Sequence, residues 1–561
     1  MGLPFTSCKD YLTLMPLNEV VLENYWTDKS DVESVLLGTY AALETSDCIT
    51  RMAIWGEMRS DNIIAGKSTP NDILQITKDN ILETNSYMSW KCFYDVINRA
   101  NTVLHFAPIV ASEDPNYTKA ELQANLAEAV AIRSLCYWYL IRAYKDVPFV
   151  DQPSMDDTSP FVNPVEADSF NVVLDNIIND LEEYKKYAVN KYAMKSANTG
   201  RITRSAIYAM LADMYLWKGD YDKCIENAEL VTERKVYEYE ELEEDEGPDN
   251  IVELFSDKWP LIQSTVGTAK AGTAYNSNFG EGNSFEVLFE LAFQANQETS
   301  NSFVSSYYGS RNTTIANIMA TPQMYNNFEQ GSNKVFTSKY DGRFYESMRK
   351  DNSSGDYGIA KYVLQDVSYN LSTGEVRDLS TTTRSDNQQP NWVIYRYTDV
   401  LLMEAEAKVL KAMKLSNGGD PADNETVQNL TKEAFALVNV VNKRAICYPQ
   451  YVSADTLKYE SYSGSLQDME NLVMDERRRE LCFEGKRWFD LVRMARRDGN
   501  TKRLSQAALT KYTENVSAVR IKLADMDAIY FPYSKDERKV NTLLKQNPAY
   551  VEDEFIKKDT K

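Results

Sequence analysis

ERRRELCFEGKRWFDLVRMARR, residues 476–497, crowds eight basic side chains into a chain that is otherwise acidic. Glu476, Glu480, Glu484 and Asp490 are threaded among them. Read as one helix, the block sets Glu480 four residues before Glu484, Glu484 three before Arg487, and Arg487 three before Asp490. Opposite charges then meet on neighbouring turns. Leu481, Trp488 and Leu491 form an apolar stripe, flanked by Cys482 and Phe489. Gly485 costs such a helix about 1 kcal/mol relative to alanine, so it marks a close contact with another helix. A stripe built for nucleic acid would not neutralise itself in this way. The block reads as an architectural ion-pair network.

Composition narrows the function. The chain has 561 residues, 43% hydrophobic and 26% charged, as in ordinary globular proteins. A net charge of −22 argues against nucleic acid as the main partner, because phosphate binding wants a basic face. The single histidine, His105, lies in NTVLHFAP at the expected end of a helix, where a structural role is expected. Multi-histidine metal sites are thereby excluded. No stretch reaches the roughly 20 apolar residues of a membrane span. The seven cysteines show no CxxC spacing, and Cys92, Cys136, Cys224, Cys447 and Cys482 fall in helical patterns as small buried residues. Phosphate loops, GxSxG elbows and HExxH motifs are absent, and neither cofactor nor metal is expected. The run YEYEELEEDEGPDN (237–250) lacks the spacing of a calcium loop and reads as a solvated acidic loop.

Helical periodicity dominates, so the expected class is all-α. In 111–144, Ala127, Val130, Ala131, Ser134, Leu135, Trp138 and Ile141 recur at three- and four-residue steps. Residues 169–187 repeat the pattern through Val172, Ile177, Leu181 and Tyr184. In AIYAMLADMYLWKGDYDKCIENAELV (206–231), small Ala212 and Cys224 flank a Gly219-Asp220-Tyr221 turn. That arrangement resembles a tetratricopeptide repeat, whose small residues let two antiparallel helices approach. One such unit cannot bury its face alone, so partner pairs are expected at 121–187 and 394–445. Between about 250 and 390 the chain turns to Ser, Thr, Asn and Gly with interspersed aromatics. Loops this long in a compact protein are usually functional.

An aromatic beside an amide or carboxylate suits a saccharide, which offers an apolar C–H face and a rim of hydroxyls. On that pattern the candidate ligand residues are Trp55, Asp61 and Asn62 in IWGEMRSDNI, together with Trp90 and Trp259. Tyr275, Asn276, Tyr307, Tyr308 and Arg311 complete the set. Trp259→Ala or Tyr308→Ala should weaken glycan binding without much loss of stability. Two other readings stay open. An all-helical glycoside hydrolase needs only two carboxylates at the right separation, and a tetratricopeptide scaffold could bind proteins.

The opening block closely resembles the signature of the SusD/RagB family, ER-x-x-EL-x-x-EG-x-R-x-x-DL-x-R. The matching residues are Glu476, Arg477, Glu480, Leu481, Glu484, Gly485, Arg487, Asp490, Leu491 and Arg493. Further blocks fall in the family's order: CKDYLTLMP and ENYWTDKSDVESVLLGTYAAL, then WKCFYDVINRANTVL, AEAVAIRSLCYWYLIRAYKDVPFV, WVIYRYTDVLLMEAEAKV and the closing IYFPYSKDERKVNTLLKQNPAY. Tyr533 stands where a proline is commoner. The resemblance implies one SusD-like domain over 1–561. Within it, helix pairs would occupy 121–235, a variable loop region with the candidate glycan face 250–390, and further helices 391–550. It implies a non-catalytic lipoprotein of the outer membrane, exposed at the cell surface. Such a protein captures oligosaccharides or polysaccharides and delivers them to a SusC-like TonB-dependent transporter. Cys8, after LPFTS, is the implied site of lipidation.

Overall fold

Several of the long helices start where a side chain takes the orphan N–H groups of the first turn. Asp28 and Asp31 form a capping box on α1 (Lys29–Leu43), as Thr118 and Glu121 do on α4 (Lys119–Tyr144). Between them lie α2 (Ser46–Glu57) and α3 (Lys91–Glu113). Phe170–Tyr184 (α5) packs on α4, and Arg204–Lys218 (α6) folds back on Tyr221–Glu246 (α7). This structure is a computed structural model. It describes residues 25–154, 164–246, 256, 258–266, 270–293, 301–309, 317–325, 335–336, 338, 340–368, 380–384, 389–446 and 456–551.

The helices stack in sequence-adjacent pairs. Gly219 ends α6 in the left-handed region at φ +80°, which makes the turn expected there. Ala212 and Cys224 are fully buried at this contact. Helix α7 packs on α8 (Tyr397–Gly418), which packs in turn on α9 (Asn424–Ala445) and α10 (Leu466–Glu480). The fold is the mainly helical, tetratricopeptide-like one. In addition α3 packs along α4, a pairing outside the expected 121–187 unit.

Three expectations need correction. The acidic run from Tyr237 does not loop out: α7 continues through it to Glu246. Glutamate, leucine and tyrosine all tolerate a helix, and Lys191 reaches across to Glu241 at 3.2 Å. His105 does not end a helix. It lies exposed within α3, which runs on past Pro108 to Glu113. The signature block is not one helix. Helix α10 stops at Glu480, residues 481–486 turn, and α11 runs from Arg487 to Asp498.

Two glycines explain the turn. Phe483 and Gly485 both take left-handed backbone, at φ +65° and +72°. The turn presses on α2 at Gly56, where an added Cβ would stand 1.7 Å from the Gly485 carbonyl oxygen. The close contact expected of Gly485 is there, made by a turn against a helix. Of the cysteines, Cys48, Cys92, Cys136, Cys224 and Cys482 are buried and free, while Cys447 lies outside the described residues.

Short strands bind the middle of the chain to this scaffold. Val287–Leu291 (β2) pairs antiparallel with Trp392–Arg396 (β6), and every residue of both is buried. A second sheet joins the N-terminal part to the middle: Ile63–Ala65 (β1), Ile318–Ala320 (β3), Tyr357–Ile359 (β5) and Met348–Lys350 (β4). Its order is β1-β3-β5-β4, all antiparallel. Ile63, Ile318, Ala320, Met348 and Ile359 point into the core, whereas Ile64, Met319 and Arg349 lie on the other face, half-buried.

Candidate functional site

The charges of the signature block meet mostly across the fold; within the block, only Glu476 with Arg479 and Asp490 with Arg493 pair along a helix. Glu480 accepts from three guanidiniums: Arg343 at 2.9 Å, Arg396 at 2.6 Å and Arg444 at 2.7 Å. Glu484 accepts from Arg396 at 2.8 Å and from Lys361 at 2.6 Å. Arg487 reaches Asp61 at 2.8 Å, and Asp490 binds Arg477 and Arg493 at 3.0 and 2.8 Å. All of these groups are buried. Burial alone would push the Glu480 carboxyl up, but Arg444, Arg396 and Arg343 outweigh it and hold the group well below the ordinary carboxylate value. Asp61 is likewise held low by Arg478 and Arg487 against its burial. A carboxylate pinned in its ionised form by several cations is a poor general acid. The cavity beside them, about 30 Å³, has room for water but not for a sugar ring.

This network bolts the second sheet to the helices. Asp61 precedes β1, its carboxylate ties to Arg478 and Arg487, and its carbonyl accepts from Thr321 Oγ1 at 2.8 Å, just after β3. Asn62 accepts from Arg478 Nε at 2.8 Å and donates to Glu57 at 2.9 Å. The start of β1 and the end of β3 are therefore tied to the helices.

The residues expected to bind ligand divide sharply. Trp55 is fully buried, stacked on Phe93 and donating to the Tyr87 carbonyl. Trp90 sits in the core with its edge on Tyr144. Tyr275 donates to the Leu364 carbonyl at 3.0 Å, and Tyr308 to the Phe483 carbonyl at 2.7 Å; both are buried. Asp61 and Asn62 belong to the network above. These six hold the core together and offer no face to a ligand, because a large aromatic next to amides also satisfies an interior. Asn276 is half-buried and exchanges hydrogen bonds with Val367. Trp259 is half-buried under Lys258, whose ammonium lies 4.4 Å from the ring centroid. Cys8 and Arg311 lie outside the described residues.

Some of the aromatics that reach the surface border the second sheet. At one end of β3, Asn317 donates to Ser306, and next to it the hydroxyl of Tyr307, itself buried, meets that of half-buried Tyr87 at 2.5 Å. At the other end, Tyr325 and Tyr357 stack at 4.5 Å with 23° between their planes, both half-buried. Phe344 packs edge-on against half-buried Tyr345 beside them. The intervening strand spans about 10 Å. Tyr87, Tyr325 and Tyr357 were missed because TPQMYNNF and SGDYGIA carry no repeat or charge signal. An aromatic beside an amide in the first and beside a carboxylate in the second was the only clue. Among the described residues, no cluster of His, Cys, Asp and Glu could hold a metal ion.

Comparison with known proteins matches this architecture. A family profile described as "SusD family" matches residues 285–550, and one described as "Starch-binding associating with outer membrane" matches residues 11–216. The chain belongs to the SusD family. SusD-like protein P38 of Formosa agariphila is 25% identical over 524 residues, covering 87% of this chain and 88% of that protein. A SusD homolog from Bacteroides thetaiotaomicron superposes with a TM-score of 0.67 at 17% identity, over 94% of this chain and 98% of that one. A crystal structure titled as a sugar binding protein, from Bacteroides vulgatus, superposes at 0.64 with 20% identity, over 94% and 100% of the two chains. The SusD signature is thus accounted for in this chain by burial: each of its charged residues named above is a bolt of the scaffold.

Proposed function

We propose that this SusD-family protein binds glycans at the cell surface and hands them to a SusC-like TonB-dependent transporter of the outer membrane, without cleaving them. The observation that carries the reading is the tyrosine-rimmed sheet, with a stacked pair at one end and a hydroxyl pair at the other. Stacked rings give the C–H faces of a sugar an apolar wall, and the tyrosine hydroxyls give its rim hydrogen-bond partners. The signature carboxylates sit in closed ion pairs, which favours binding over acid–base cleavage. The names of the relatives, a sugar binding protein and a starch-binding family, agree with it. A shallow, preformed face orders little on binding and releases its ligand readily, as transfer requires. Attachment through a lipid on Cys8 would keep the protein at the membrane, since no described helix is long and apolar enough to cross one.

Native affinity gels containing starch, xylan, pectin or mannan test the reading. Retardation by one of them, lost in a Tyr325→Ala/Tyr357→Ala double variant and unaccompanied by new reducing ends, supports it. Reducing ends that accumulate with time would replace it with a hydrolase. No retardation by any glycan, with recovery of a soluble protein partner, would replace it with a protein-binding scaffold.

A further inference from the structure

On the helical-repeat side, a cleft of about 700 Å³ opens between the last turns of α8, the first turns of α7 and α10, and the segment following α11. Its size falls within the range of small-ligand sites. Two features set it apart from the acidic chain around it. Lys414, Arg497, Lys502 and Arg503 line it against only two carboxylates, Glu470 and Asp498. Its guanidiniums are also held in place: Glu470, almost fully buried, takes Arg497 at 2.8 Å and Arg503 at 2.7 Å on one carboxylate oxygen. Asp498 grips Arg497 from the side, and Asn471 accepts from Arg503 at 3.1 Å. Guanidiniums anchored on a buried carboxylate lose little rotamer freedom when an anion arrives.

The rest of the lining narrows the ligand. Leu410 and Met413 give an apolar floor and half-buried Tyr221 an aromatic wall, while the amides of Asn417, Gln467, Asn500 and Gln506 ring the mouth. An apolar floor with an amide rim is the complement of a pyranose. None of the lining residues lies in a β-strand, so an extended peptide finds no strand edge to add to there. We propose that this cleft is a second saccharide site, selective for oligosaccharides carrying carboxylate or sulfate groups and independent of the tyrosine-rimmed face.

Isothermal titration of the full chain with tetragalacturonate, a sulfated carrageenan tetrasaccharide, neutral cellotetraose and hexaglutamate decides it. One of the two anionic sugars should bind at least tenfold more tightly than cellotetraose, and the preferred one names the anionic group. Its binding should weaken at higher salt. A Lys414→Glu/Lys502→Glu variant alters only exposed side chains. It should lose about tenfold in affinity for that sugar, from two ionic contacts turned repulsive. Tyr325→Ala/Tyr357→Ala should leave this binding unchanged, which separates it from the face proposed above. Equal binding of charged and neutral sugars, an unchanged lysine variant, or hexaglutamate binding more tightly than either anionic sugar would each overturn the proposal.

Discussion

Replacing Glu484 with alanine should strike stability and leave glycan binding alone. The side chain is fully buried and accepts from Arg396 through both oxygens, at 2.9 and 2.8 Å, and from Lys361 at 2.6 Å. Without it, both cations stay in the interior. Arg396 keeps Glu480, and Lys361 keeps the carbonyls of Glu480 and Cys482 at 2.9 and 3.2 Å. Removing one partner from a buried ion pair costs about 3–5 kcal/mol, most of it the uncompensated charge left behind. Over 561 residues unfolding together, the entropy is roughly 1.2 kcal/mol per kelvin, so a loss of about 4 kcal/mol lowers Tm by about 3–4 °C. Scanning calorimetry measures that shift, and affinity gels with the retarding polysaccharide measure binding, expected to stay within about twofold. Glu484→Gln, which keeps the volume and an acceptor, should fall between the two. A Tm unchanged to within a degree, or binding lost at constant Tm, would refute the assignment of this residue to the scaffold.

Other substitutions probe separate parts. Gly56→Ala drives a methyl into the Gly485 carbonyl, a backbone group that cannot swing aside, so soluble yield and Tm should both drop well below those of Glu484→Ala. Tyr308→Ala should behave as a core truncation, costing about 3–5 kcal/mol. That reverses the expectation, drawn from its sequence neighbours, that it would spare stability. Trp259→Ala, at a half-buried position, should cost far less in a thermal melt. The pH response isolates Glu44, whose burial raises its carboxyl to about 7 against a single opposing N–H from Ala292. A raised carboxyl makes the folded state bind more protons, so its destabilising effect grows as pH climbs from the ordinary carboxylate value through 7. Glu44→Gln should therefore match the wild type near pH 4 and gain on the order of 1–2 kcal/mol by pH 8, the discount reflecting its partial exposure. Parallel denaturation curves at the two pH values would disprove this.

The helices were legible because apolar residues recur every three or four positions, as Ala127, Leu135 and Trp138 do in α4, although the structure buries that helix on every face from Ala127 to Tyr144. The turn at Gly219 was legible because only a left-handed residue ends that helix so tightly. The break after Glu480 was hidden: LCFEG has helix formers around its glycine, and the turn follows from Gly56, far away in sequence. For the same reason the pairing of each charge could not be found. Spacing along the chain suggested Glu484 with Arg487, whereas tertiary geometry gives Glu484 to Arg396 and Arg487 to Asp61. The candidate ligand residues fared worst. Trp55 and Tyr325 sit in equally polar surroundings in the sequence, and only packing decides that one faces the core and the other the rim.

The joint between residues 57–62 and the C-terminal part also bears on how the chain is made. Arg59 donates to the Ile529 carbonyl across 470 residues, Lys511 to Met58 across 453, and Arg487 to Asp61 across 426. Contacts at such separation close late, because the loop between them must be ordered first. During synthesis, the Asp61 carboxylate and the Asn62 side-chain oxygen wait for their guanidinium partners until Arg478 and Arg487 have emerged. The segment that ties β1 to the helices is then the last to be secured. A chain halted before the signature would hold its early helix pairs but lack the Arg478 and Arg487 ties to Asp61, and proteases would find it by that open seam.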